Sequence, residues 1–168
     1  MGGIIFSLVT LVVVLLFYLF YNRGLIEFNL TNWTLIFVPL FGYALIGFID
    51  DYLIVVKKNN EGLKPKIKFA LQIIIAALFF YLYLKNDYPT EIYFTKSLYL
   101  DFKWFYGIII FFMLVGGTNA VNLTDGLDGL AAGLSSFALA TFTFIAYINQ
   151  QYDLMLFGSA ILWVILDH

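Results

Sequence analysis

Trp104-Phe105-Tyr106-Gly107-Ile108-Ile109-Ile110-Phe111-Phe112-Met113-Leu114-Val115-Gly116-Gly117-Thr118-Asn119-Ala120-Val121 leads into Asn122-Leu123-Thr124-Asp125-Gly126-Leu127-Asp128-Gly129, and a second apolar run follows from Leu130 to Ile148. Each run approaches the roughly 20 residues that a helix needs to cross a bilayer. The eight residues between them carry two carboxylates, an amide and a hydroxyl. Two spans joined by a polar segment make a chain that passes through a membrane more than once. Asn122, Asp125 and Asp128 are spaced by three, so in a helix they project along one face. Such a row of oxygens at a membrane boundary suits a cation, a sugar or a phosphorylated molecule.

The rest of the chain agrees. Of its 168 residues 62% are hydrophobic and 12% charged, against roughly 45–50% and 25% in soluble domains. The mean hydropathy is +0.92. Six apolar runs, at 4–21, 33–49, 67–84, 104–121, 130–148 and 154–167, predict an all-α polytopic membrane helical bundle of about six transmembrane helices, a single domain over residues 1–168. Met1-Gly2-Gly3 has no positive leader and the run from Ile4 to Phe20 is long enough to span, so the start reads as a span rather than a signal peptide. With no cysteine there is no disulfide framework or thiolate chemistry, and one histidine, His168, excludes a His-rich metal site within the chain. The 19 Phe and 12 Tyr suit lipid-facing surfaces and interfacial belts. Residues 85–103, with the alternating Ile92-Tyr93-Phe94, predict a short β-hairpin.

Two spans separate the 50–66 connection from the 116–129 connection. An even number of crossings returns the chain to the same side, so Asp50 and Asp51 share a membrane face with Asp125 and Asp128. That face carries Lys57, Lys58, Lys64, Lys66 and Lys68, and the other carries Arg23, Lys85, Lys96 and Lys103. The bias favours a cytoplasmic acidic face.

Gly47-Phe48-Ile49-Asp50-Asp51-Tyr52 puts two carboxylates side by side at the end of a span. Adjacent like charges near a low-dielectric boundary repel. They persist when a cation or basic partner neutralises them, or when one is held as a base. The plain alternative is a polar stop at a helix end. The lysines that follow suit the phosphates of an anionic substrate, or anionic lipid headgroups. The 122–129 segment lacks the spacing and closing Glu of an EF-hand. Capping explains one or two of its polar residues, but not Asn119, Asn122, Thr124, Asp125 and Asp128 together.

In order along the chain stand Met1-Gly2-Gly3, Gly47-Phe48-Ile49-Asp50-Asp51-Tyr52, Gly62-Leu63-x-x-Lys66-x-Lys68 with Gln72, and Asn119 to Ala131. Together they resemble the phospho-N-acetylmuramoyl-pentapeptide transferase family, among the polyprenyl-phosphate N-acetylhexosamine-1-phosphate transferases. The resemblance implies attack of undecaprenyl phosphate on the β-phosphate of UDP-N-acetylmuramoyl-pentapeptide, with Mg²⁺, giving lipid I and UMP for peptidoglycan synthesis. It implies a homodimer in the bacterial inner (plasma) membrane, with the active face cytoplasmic and no nucleic-acid partner. By resemblance Asp50 is the base, and Asp51 supports it or helps to organise the metal and phosphates. Lys66, Asn122, Asp125 and Asp128 bind substrate, with Asn122 also a candidate metal ligand.

Three departures stand out. Ile54 occupies a position where the family usually has lysine. The family's chain begins earlier, with another span. It also continues into a Met-Gly-Asp-x-Gly-Ser motif, which holds the principal metal ligand, and a histidine-rich loop. The resemblance therefore implies a chain cut before its metal site is complete, with little or no activity alone. The alternatives are a sister transferase for another UDP-N-acetylhexosamine, an inactive fragment, and a non-enzymatic helical bundle.

Overall fold

Inside a bilayer every backbone N–H and C=O must find a partner within the protein, and a helix achieves this within one segment. The computed structural model describes residues 30–56, 62–95, 97–124 and 129–166, with residues 12, 13, 15, 16 and 19, which are helical. The described helices are α1 (Leu30–Val55), α2 (Pro65–Lys85), α3 (Lys103–Thr124), α4 (Leu130–Ile148) and α5 (Tyr152–Leu166). Four of them are long and apolar enough to cross a membrane: α1 from Trp33, then α2, α3 and α4. The 21 residues of α2 rise about 30 Å, one hydrocarbon thickness. The protein is thus an all-α, multi-pass membrane protein. Of the six predicted spans, the first lies largely outside the described residues. The last, α5, has 15 residues, a rise of about 22 Å.

Large side chains face outward: Phe137 is 79% exposed, Trp163 74% and Phe112 66%. In water so much bare apolar surface would aggregate, whereas in lipid it is the solvated face.

Two element ends differ from the sequence reading. The predicted connections at 50–66 and 116–129 begin later, because α1 runs on to Val55 and α3 to Thr124. After Asp51 comes Tyr52-Leu53-Ile54-Val55, which has nothing to break a helix, so the helix outlasts the apolar span. Asp50, Asp51 and Asn122 are therefore helical residues. Pro65 starts α2 at the first helical position, where its missing N–H and fixed φ cost nothing.

The predicted hairpin joins α2 to α3. Strands β1 (Glu91–Tyr93) and β2 (Tyr99–Asp101) pair antiparallel, Glu91 opposite Asp101 and Tyr93 opposite Tyr99. The Thr90 hydroxyl donates to Asp101 Oδ1 at 2.5 Å and the Lys103 N–H at 3.0 Å. These donors hold the Asp101 carboxyl below the usual carboxylate range. The Tyr83 hydroxyl of α2 donates to the Pro89 carbonyl at 2.6 Å, tying the hairpin to the helix before it.

The chain divides into two compact units, Thr31–Asn119 and the described residues of Met1–Leu30 and Ala120–His168. In the first, α2 packs on the first half of α3, where a methyl at Gly107 would stand 2.6 Å from Phe80 Cε1. In the second, α4 packs on α5 with Gly158 against the Thr143 hydroxyl. Thr143 is β-branched and stiff at χ1, so its hydroxyl gives way only at a cost. Gly158→Ala is therefore expected to lower the thermal midpoint in detergent, by the equivalent of about 1–3 kcal/mol for overpacking. Thr143→Ala should recover most of that loss in the double variant. Additive losses would refute the contact.

Candidate functional site

Asp50 lies in the last turns of α1, half-buried, and both of its oxygens are engaged. Oδ1 accepts the Leu63 N–H at 2.7 Å and Oδ2 accepts Lys68 Nζ at 3.1 Å. The Lys68 side chain is 24% exposed and that of Asp50 21%, so the ion pair is partly shielded from solvent. Charge-assisted bonds of this kind are about twice as strong as neutral ones. Each oxygen keeps a second lone pair, so the carboxylate can still receive a proton.

The turn that brings Leu63 under Asp50 depends on Gly62. It is buried, with φ +60°, in the left-handed region that glycine enters without steric cost. A methyl added there would stand 2.6 Å from Asp50 Oδ1 and 3.1 Å from Ile54 Cδ1. Ile54, at the position where the resemblance expected a lysine, thus packs beside this turn with an apolar side chain.

Asp51 is half-buried one residue further along α1. Consecutive helical residues point roughly 100° apart, so the two carboxylates diverge, which relieves the repulsion expected from adjacency. Lys66 is exposed in the first turn of α2. Lys68 is two positions on, roughly 200° around the helix, and only one of the two can face α1. The pairing goes to Lys68, which the sequence alone does not single out. A signal for it was present: Lys68 stands four residues before Gln72, on the same helical face, and Gln72 is buried.

The second group of polar residues sits where α3 changes its winding. Its segments are a 3₁₀ turn (Lys103–Phe105), an α-helical part (Tyr106–Phe111), a π-helical part (Phe112–Gly116) and a final α-helical part (Gly117–Thr124). π segments recur at functional sites. Here Thr118 Oγ1 donates to the Leu114 carbonyl at 2.7 Å and Asn119 Nδ2 to the Val115 carbonyl at 2.8 Å. Asn119 Nδ2 also donates to Gln72 Oε1 at 2.9 Å. Asn122 follows about one turn later and is exposed. It belongs to the second compact unit. Asp125 and Asp128 lie outside the described residues.

Among the described residues no group of three or more acidic or histidine side chains could hold a metal ion. These residues by themselves do not fit a Mg²⁺ site. The Asp50 arrangement offers an ionised carboxylate beside an ammonium group, suited to meeting a protonated anion.

The sequence model described as "Glycosyl transferase family 4" matches residues 33–167. The phospho-N-acetylmuramoyl-pentapeptide-transferase of Bacillus licheniformis is 44% identical over 141 residues, covering 83% of this chain and 43% of the relative. The protein of the same name from Bacillus subtilis strain 168 is 47% identical over 133 residues, covering 79% and 41%. That from Listeria monocytogenes is 42% identical over 163 residues, covering 96% and 48%. The chain spans less than half the length of these relatives.

Proposed function

Because this chain belongs to glycosyl transferase family 4, we propose that it serves the transfer of phospho-N-acetylmuramoyl-pentapeptide from its UDP carrier to undecaprenyl phosphate, giving lipid I and UMP. The observation that carries the reading is the Asp50–Lys68 pair, with the Leu63 N–H as its third member. The names of its relatives favour the muramoyl substrate over that of a sister transferase.

The acceptor phosphate must present an ionised oxygen to the β-phosphate of the nucleotide. Asp50 takes its proton on a free lone pair, the usual work of a general base. Lys68 draws in the anion while keeping the carboxylate oriented, since phosphoryl transfer depends chiefly on positioning and charge. Lys66, exposed in the first turn of α2, binds the nucleotide or diphosphate, while Lys68 pairs with Asp50. Asp51 supports the base, and Asn122, Asp125 and Asp128 bind the sugar nucleotide. Mg²⁺, with Asn122 as one donor, depends in this reading on residues outside those described.

The 168 residues are read as one transmembrane domain of a homodimer in the bacterial inner membrane, with Asp50 facing the cytoplasm. The test supplies the purified protein carrying this chain with MgCl₂ and undecaprenyl phosphate, and follows UMP release. Release is expected with UDP-N-acetylmuramoyl-pentapeptide and not with UDP-N-acetylglucosamine; the reverse preference would overturn the reading.

A further inference from the structure

Gln72 is 1% exposed in the middle of α2, the sole buried polar side chain among the described residues. A polar group so enclosed is costly unless it is hydrogen-bonded, and the chemistry at Asp50 makes no use of it. Its Oε1 accepts Asn119 Nδ2, which also donates to the Val115 carbonyl. A backbone carbonyl can only accept, so Asn119 must turn its nitrogen toward Val115. Gln72 must then meet that nitrogen with its oxygen rather than its own amide nitrogen. One carbonyl, in the π-helical part of α3, settles the orientation of two side chains. Both Nδ2 protons are used within the protein. What Asn119 has left is Oδ1, an acceptor.

We propose that Gln72 is a positioning residue: by taking one Asn119 amide proton it holds Asn119 Oδ1 as a fixed acceptor for an N–H or O–H donor of the sugar nucleotide. The proposal rests on the sugar-nucleotide reading above and adds a residue that never touches the substrate. Gln72→Leu keeps the volume and removes the acceptor, leaving Val115 alone to hold the amide. The net worth of one hydrogen bond corresponds to about a three- to tenfold effect.

Two measurements on the protein carrying this chain decide the matter. In steady-state kinetics, Gln72→Leu should lower kcat/KM for UDP-N-acetylmuramoyl-pentapeptide by about three- to tenfold and leave the KM for undecaprenyl phosphate unchanged. Gln72→Glu enters the enclosed site protonated, still offers a carbonyl oxygen, and should retain most of the wild-type value. In side-chain amide exchange with ¹⁵N-asparagine label, both Asn119 protons should be protected in the wild type, and one should exchange several-fold faster in Gln72→Leu. Equal losses toward both substrates without rescue by Glu would reduce Gln72 to packing and overturn the proposal, as would unchanged exchange. Unaltered kinetics in an active protein would overturn this proposal alone. A wild type with protected amides but no turnover of the nucleotide would overturn the functional reading, and with it the substrate role given to Asn119.

Discussion

Asp50→Asn is expected to reduce kcat by about 10²–10⁴, the usual contribution of a general base, while leaving the protein folded. The asparagine oxygen can still accept the Leu63 N–H, so the turn at Gly62 keeps its anchor. What is lost is the negative charge beside Lys68 and the lone pair that would take the acceptor's proton. The pair is only partly shielded, with its partners about a fifth to a quarter exposed, so the stability loss should be about 1 kcal/mol. Turnover and thermal midpoint measured together separate the two effects. Lys68→Met should lower activity on its own but add little in the Asp50→Asn background, because both changes break the same pair. Turnover above a tenth of wild type in Asp50→Asn would remove Asp50 from the role of base.

Gly62→Val is expected to destabilise the protein by about 2–4 kcal/mol, adding left-handed strain in a β-branched residue to overpacking. The strain arises at φ +60°. The overpacking arises because the new Cβ would stand 2.6 Å from Asp50 Oδ1 and 3.1 Å from Ile54 Cδ1. The least costly escape moves Leu63 away from Asp50, so activity should fall with stability. Gly62→Asn separates the causes, since asparagine tolerates the left-handed region but carries the same Cβ. Thermal unfolding and UMP release should place it between wild type and Gly62→Val. An Asn variant as stable and active as wild type would show that crowding at Asp50 has no effect.

Much of the architecture was legible in the sequence because lipid leaves a span few options. An apolar run of about 20 residues has to be helical there, and four of the predicted runs correspond to helices of spanning length, with the hairpin at its predicted place between two of them. Helix ends were less legible. Asp50-Asp51 and Asn119-Asn122 look like loop residues by polarity, yet polarity does not stop a helix, and both groups are helical. Adjacency in sequence also misled. Asp50 and Asp51 read as one acidic pair, whereas a helix turns them apart, and the close partner of Asp50 is Lys68, 18 residues away. Lys66 and Lys68 show the same limit. Composition cannot rank two lysines in one turn, but the angle around the helix separates them at once.

By itself the sequence determined that this is a multi-pass helical membrane protein with acidic groups at the ends of its spans, because hydrophobic length and buried backbone polarity are properties of a segment alone. The tertiary structure decided which groups work together. Lys68 was found to pair with Asp50, Gly62 to admit the Leu63 N–H to Asp50, and Gln72 to meet the amide of Asn119. Each of these depends on the face a residue takes when one element packs on another, and on atoms within about 3 Å that come from elsewhere in the chain.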